Sequence, residues 1–238
     1  MHNIITIAKR EIKSYFFTPV AYILMTIFLL ITGWFFGSEL FLVNEATMRN
    51  IFALTPLIFI FFIPAVTMRS ISEEKRSGTI ELICTSPVKD SEIVLGKFFA
   101  AFSLLVATIF STIIYVIILL ILGKPDGGVI VAGYIGLLFM GSAYASIGIF
   151  ASTISKNQIV SFIVSFFIIM VLYLLDKFMY FIPTWLGSIL QYISVDYHFQ
   201  NIARGVIDSR DIIYYLSLIF VFLFFAWNSL TKRKYLST

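Results

Sequence analysis

Arg69 to Lys97 concentrates the ionisable chemistry of the chain, with ten charged side chains, five of each sign, in one stretch. Glu73 and Glu74 are adjacent. On a helix they point to different sides, which suits a charged surface offered to a partner better than an acid and base pair. His198 stands beside Asp196 and Tyr197 with no second histidine near it, so it reads as a satisfied interface residue. Cys84 is the single cysteine and excludes an intrachain disulfide. No G-x-x-x-x-G-K-[ST] run occurs, so ATP binding through a phosphate-cradling loop is not expected of this chain. The sequence yields no catalytic, metal or cofactor site. Its informative chemistry is a surface of mixed charge.

The elements that must carry that surface are apolar. With 60% hydrophobic and 13% charged residues, the chain lies outside the composition of soluble domains. Six runs are long enough to approach the roughly 20 residues that cross a bilayer: 19–36, 51–68, 98–122, 129–151, 159–175 and 212–230. None contains Asp, Glu, Lys, Arg or His. Charge is costly in hydrocarbon, so this exclusion supports lipid-embedded spans and removes the usual residues of an ion relay. The expected fold is an all-α integral membrane protein of six transmembrane helices, with an N-terminal interfacial helix, a cytoplasmic coupling helix and short outer re-entrant helices before the last span.

Orientation follows from the basic flanks. One side carries Lys9, Arg10, Lys13, Arg69, Lys75, Arg76, Lys89, Lys97, Lys156, Lys232, Arg233 and Lys234, whereas the other carries Arg49, Lys124, Lys177, Arg204 and Arg210. Both termini are therefore expected to be cytoplasmic. The net charge of +4 does not indicate nucleic acid, because the basic residues fall between apolar runs and form no stripe interleaved with aromatics. The apolar stretch Val20 to Phe36 exceeds a signal-peptide core, and no small-x-small cleavage site follows it. A retained first span is expected.

Residues 1–17 are expected to form the interfacial helix. Ile4, Ile5, Ala8, Ile12, Tyr15 and Phe16 share one arc at 100° per residue, with Lys9, Arg10 and Lys13 elsewhere on the wheel and Ile7 misplaced. In the 70–90 loop, Ser70 and Glu73 have the spacing of a capping box, and Gly78 is placed to stop the helix they open. Ser86 and Pro87 can start a second helix toward the third span. The alternatives are a frayed basic tail and a solvated loop that only sets topology. The 177–211 segment, broken by Pro183 and Gly187, is too long for a hairpin, and helix followed by helix is its simplest form. In the fourth span, Gly141 with Ala145, and Ser142 with Ser146, put small side chains on shared faces for close helix packing.

Glu73-Glu-Lys-Arg-Ser-Gly-Thr-Ile-Glu-Leu-Ile-Cys-Thr-Ser-Pro-Val, followed by Glu92-Ile-Val-Leu-Gly-Lys97, resembles the coupling segment of type-2 ATP-binding-cassette (ABC) exporter permeases. The subgroup with the gliding-motility and copper-enzyme maturation permeases is the most similar, and Val195 to Asp211 is similar to its outer segment before the last span. The resemblance implies a permease subunit that couples ATP hydrolysis by a separate ATPase to export or mechanical work. It implies that a docking helix, 71–83, enters a groove on the ATPase, with the interfacial helix beside it. The coupling residues would then be Ile71, Glu73, Glu74, Arg76, Gly78, Thr79, Glu81 and Leu82. Two ATPase subunits, a second permease chain, identical or paralogous, and an outer accessory subunit are the implied partners within the bilayer. A non-transporting scaffold of an ABC-powered assembly or motility complex is the rival reading. An ion-coupled carrier lacks the buried ionisable residues it would need.

Overall fold

A computed structural model describes residues 2–43, 47–79, 88–123, 125–178 and 183–236. The described residues are helical nearly throughout. They form α1 (His2–Phe17), α2 (Pro19–Ser38), α3 (Arg49–Thr67), α4 (Ser72–Ser77), α5 (Asp90–Ser111), α6 (Ile113–Leu122), α7 (Gly127–Ile154), α8 (Gln158–Leu174), α9 (Thr184–Ile193), α10 (Val195–Ala203) and α11 (Ser209–Leu236). A π-helical turn, Glu39–Val43, continues α2.

Among the described residues, five stretches are long and apolar enough to cross a membrane: Pro19–Phe41, Arg49–Ser77, Asp90–Leu122, Gly127–Ile154 and Ser209–Lys232. The sixth expected span is the shorter apolar helix Gln158–Leu174. Its 17 residues measure about 25 Å at the α-helical rise, near the lower limit for a crossing. The protein is therefore an all-α membrane protein.

Helix α7 is the centre of the bundle. It packs against α3, α4, α5, α8, α10 and α11, and its small residues explain how so many neighbours fit. A Cβ added to Gly141 would lie 2.5 Å from Leu105 Cδ2, and one added to Gly148 would overlap the Thr67 side chain. Gly141 and the buried Ala145 thus lie where the sequence expects close packing. The apolar span on either side of this centre is lipid-like in its exposure: only 11% of the last span and 22% of the first are buried, against 67% of α7.

Two expectations change in detail. The third span begins earlier, at Asp90, and breaks at Thr112, whose hydroxyl bonds Ile109 O at 2.6 Å and pairs with the Tyr134 hydroxyl at 2.9 Å. An uninterrupted apolar run gives no hint of such a break. On α1, the stripe turned toward the bundle is Ile4, Ile7, Ala8, Glu11, Ile12 and Tyr15, while Ile5 is 62% exposed. Ile7 is no misfit, because it packs where Gly96 of α5 has no side chain and a Cβ would lie 2.7 Å from its Cγ2. The wheel pattern alone implies a lipid partner, whereas α1 packs against α5.

Within the 177–211 segment the described residues form helix followed by helix, α9 and α10. Val195, Phe199 and Ile202 of α10 are almost wholly buried, at the spacing of one helix face. That face lies over Gly136 of α7, where an added Cβ would be 3.1 Å from Ile202 and 3.2 Å from Phe199.

Candidate functional site: the charged joint between α1, α4, α5 and α7

Lys97 organises the site. Its side chain is 1% exposed, although it sits in α5 beside the first apolar turns of a span. Its ammonium donates to Glu74 Oε1 at 2.9 Å, to Glu11 Oε1 at 3.2 Å and to the Ser70 carbonyl at 2.5 Å. Three acceptors match the three donors of an ammonium, which is how a cation this deep is tolerated. Arg10 closes the network from outside, 3.0 Å from Glu11 Oε1 and 3.3 Å from Glu74 Oε1. One buried cation therefore ties the N-terminal helix, the short α4 and the start of a span.

Helix α4 is six residues long and could not persist alone, because helix nucleation is unfavourable. It is held by the end of α7. The Ser152 hydroxyl accepts the Ile71 and Ser72 amides at 2.8 and 2.9 Å, and itself donates to Met68 O at 3.3 Å. Lys75 donates to the Thr153 carbonyl, one of the free carbonyls that a helix C-terminus presents to cations. The expected Ser70 and Glu73 capping box does not form, since Ile71 holds the N-cap position and a hydroxyl from a distant helix takes the amides. Local spacing offered one donor pair, and tertiary packing supplied a better one.

Gly78 ends α4 with φ of 75°, the left-handed conformation that glycine adopts without steric cost. The docking helix expected over 71–83 is thus interrupted at Gly78. Glu81 and Leu82, like Ser86 and Pro87, lie outside the described residues. The other candidate residues separate by environment. Ile71 is wholly buried, and Glu74 faces Lys97 with 14% of its side chain exposed. Arg76, Gly78 and Thr79 are exposed, with Ser77 between them. Glu73 is half-buried. The reading of Glu73 and Glu74 as an outward charged surface is corrected for Glu74, which is committed inside the protein. Lys9, Arg10 and Lys13 lie on the exposed side of α1.

Lys97, Glu11, Ser152 and Thr153 escape sequence reasoning as partners. Glu11 leaves one signal, because at 100° per residue it falls between Ile7 and Ile4, a carboxylate on the apolar side of the wheel. Asn3 extends the contact between α1 and α5, donating to Glu92 Oε2 at 3.1 Å. That bond, with the Lys89 amide and nearby positive charge, holds the Glu92 carboxyl below its ordinary pKa. Burial, and then the Glu11 charge, raise the Tyr15 phenol above its ordinary range, with the neighbouring Ser70 hydroxyl and Arg69 acting against them.

A second polar cluster closes the opposite end. His198 Nδ1 lies 2.6 Å from Asp211 Oδ1 and its Nε2 lies 3.0 Å from the Tyr192 carbonyl, with the ring stacked on Tyr214 at 3.9 Å. Lys177 bridges Asp176 at 2.9 Å and Asp196 at 2.8 Å. Burial works against the Lys177 ammonium, but the two carboxylates outweigh it and raise its pKa. These contacts fasten α8, α10 and α11. They satisfy His198 structurally, as its isolation in sequence implies.

The described residues thus form a bundle of apolar helices around a glycine-rich centre, with one short helix keyed into three of its neighbours. Residues 38–230 match the family model described as ABC-2 family transporter protein, and the chain belongs to that family. It is 28% identical over 144 residues to the probable multidrug ABC transporter permease YbhR of Escherichia coli strain K12. The same identity and length hold for the protein of that name from Escherichia coli O157:H7. The match covers 59% of this chain and 38% of the relative, so the chain spans about two fifths of the length of the curated relatives it matches.

Proposed function

We propose that this permease is the membrane-spanning subunit of an ATP-driven exporter. It lies in the cytoplasmic (inner) membrane with both termini in the cytoplasm, and a separate ATPase subunit docks on α4. The observation that carries this reading is the anchoring of α4. Its buried side, Ile71, Glu74 and Lys75, is tied to α1, α5 and α7, while Arg76, Ser77, Gly78 and Thr79 face outward. An element exposed on one side and bonded to three helices on the other passes on a rigid-body movement instead of absorbing it. Two ATPase subunits and a second permease chain complete the assembly, and an accessory subunit sits on the α9 and α10 side.

Copurification from mild detergent tests the docking. Arg76→Glu with Thr79→Glu changes only the exposed face, so the native chain should retain a Walker-motif ATPase that the double variant loses at unchanged melting temperature. Equal recovery of the ATPase by both proteins would refute the assignment of α4. Absence of any ATPase with the native chain would remove the exporter reading itself.

A further inference from the structure

A cleft of about 240 Å³ lies beside the charged joint, between α1, α2, α3, α4 and α5, with Lys97 in its lining. One part of its lining is polar and includes Glu73, Glu74, Ser70 and Arg69; the other is apolar and includes Val20, Leu24 and Ala65 from the first two spans. The polar part is unsatisfied. Glu73 Oε2, Glu74 Oε2 and the Ser70 hydroxyl are buried without a hydrogen-bond partner. Ser70 is 5% exposed, and its hydroxyl lies beside the Tyr15 phenol. Lys97 cannot serve these atoms, because its three donors are already taken by Glu11, Glu74 Oε1 and Ser70 O. Arg69 lines the same cleft and is exposed.

Buried carboxylate oxygens without donors are costly, and a group that brings both donor hydrogens and positive charge relieves them best. A primary ammonium has three donors, enough for Glu73 Oε2 and Glu74 Oε2 with one to spare for the Ser70 hydroxyl. The neighbouring Arg69 guanidinium suits a phosphodiester a few ångströms away from that ammonium. The apolar wall formed by spans α2 and α3 suits the start of acyl chains, and it disfavours a lysine arriving on a soluble partner. We propose that this cleft binds one aminophospholipid, a headgroup with a primary ammonium beside a phosphodiester, at the membrane face where α1 lies. The ammonium sits among Glu73, Glu74 and Ser70, and the phosphate sits at Arg69. The lipid then becomes part of the joint through which α4 touches α1 and the spans. The site does not depend on the export reading, since a scaffold in the same membrane would hold the same lipid.

The test compares headgroups on the full-length protein, delipidated in detergent and titrated with phosphatidylethanolamine, phosphatidylcholine or phosphatidylglycerol of identical acyl chains. Lipid retention is read by native mass spectrometry and thermal stabilisation by tryptophan fluorescence. The ethanolamine lipid should bind saturably at one copy per chain. The choline lipid, with the same charge but no N–H donor, should bind about tenfold more weakly, as should the ethanolamine lipid to Glu73→Gln. Ser70→Ala gives a second variant with a smaller loss in the same direction. Equal retention of the three lipids by the native chain, or an unchanged ethanolamine preference in both variants, would overturn the site. Protection by free ethanolamine without any by the lipid would show a polar amine site and equally overturn the lipid assignment.

Discussion

Lys97→Met keeps an unbranched stem of similar length and removes the ammonium, leaving Glu11 and Glu74 without their common counterion. Both carboxylates lie within 3.2 Å of Lys97 Nζ, with side chains 17% and 14% exposed. They are thus no more than about 6 Å apart, and at an effective dielectric of about 20 their repulsion is about 3 kcal/mol. Removing one partner of a buried ion pair costs about 3 to 5 kcal/mol by precedent. Arg10 reaches both carboxylates but is 60% exposed, so it compensates in part. A net loss of about 2 to 3 kcal/mol is expected, which for a chain of this size lowers the melting temperature by about 5 to 10 °C. The assay is thermal unfolding of the purified chain in detergent, run as a double-mutant cycle with Glu74→Gln. The double variant should recover at least about 1 kcal/mol relative to the sum of the single losses, because the orphaned charge is gone. A Lys97→Met protein within about 1 °C of the native one, or strict additivity in the cycle, would refute the account of Lys97 as the buried tie.

Ser152→Ala deletes the hydroxyl that caps Ile71 and Ser72, and should weaken α4 locally by about 1 to 2 kcal/mol. Hydrogen exchange should speed up several-fold at the amides of residues 71–77 and stay unchanged in α11. Gly148→Ala forces a Cβ into Thr67 and should cost about 1 to 3 kcal/mol of stability by overpacking, whereas Gly37→Ala, with nothing within 4 Å, should be silent in the same melting assay. The depressed Glu92 pKa gives α1 docking a stabilising contribution that is present above the ordinary value of 4.5 and lost as pH falls through the lower folded value. Hydrogen exchange in residues 3–10 should therefore rise selectively below pH 4.5, and Asn3→Ala should move the onset upward.

What was legible in the sequence follows from the range of the forces involved. The spans were readable because lipid excludes charge residue by residue, so each apolar run carries its own evidence. The stop at Gly78 was readable because positive φ is a local demand. The pairing of Glu11 with Lys97 joins residues 86 positions apart, and no local pattern specifies which carboxylate a cation will meet. The cap on α4 comes from Ser152, some 80 residues away, so the nearer Ser70 looked like the cap and is not. The break at Thr112 was hidden because a run such as 113–122 is as apolar in two helices as in one. Ile7 falls off the apolar arc in sequence because nothing local shows that Gly96 makes room for it on α5.

The hydroxyl of Ser152 makes the shape of α4 depend on the end of α7. Helix α4 has no independent stability to spend, so its shape is a readout of where the end of α7 stands. A displacement of α7 inside the bundle therefore alters the face that α4 offers outside. Binding equilibria coupled through such a joint must be reciprocal: whatever grips α4 biases α7, and whatever settles against α7 changes the grip on α4 by the same factor. With an ATPase docked on α4 as proposed, the joint would serve as a gauge as much as a lever.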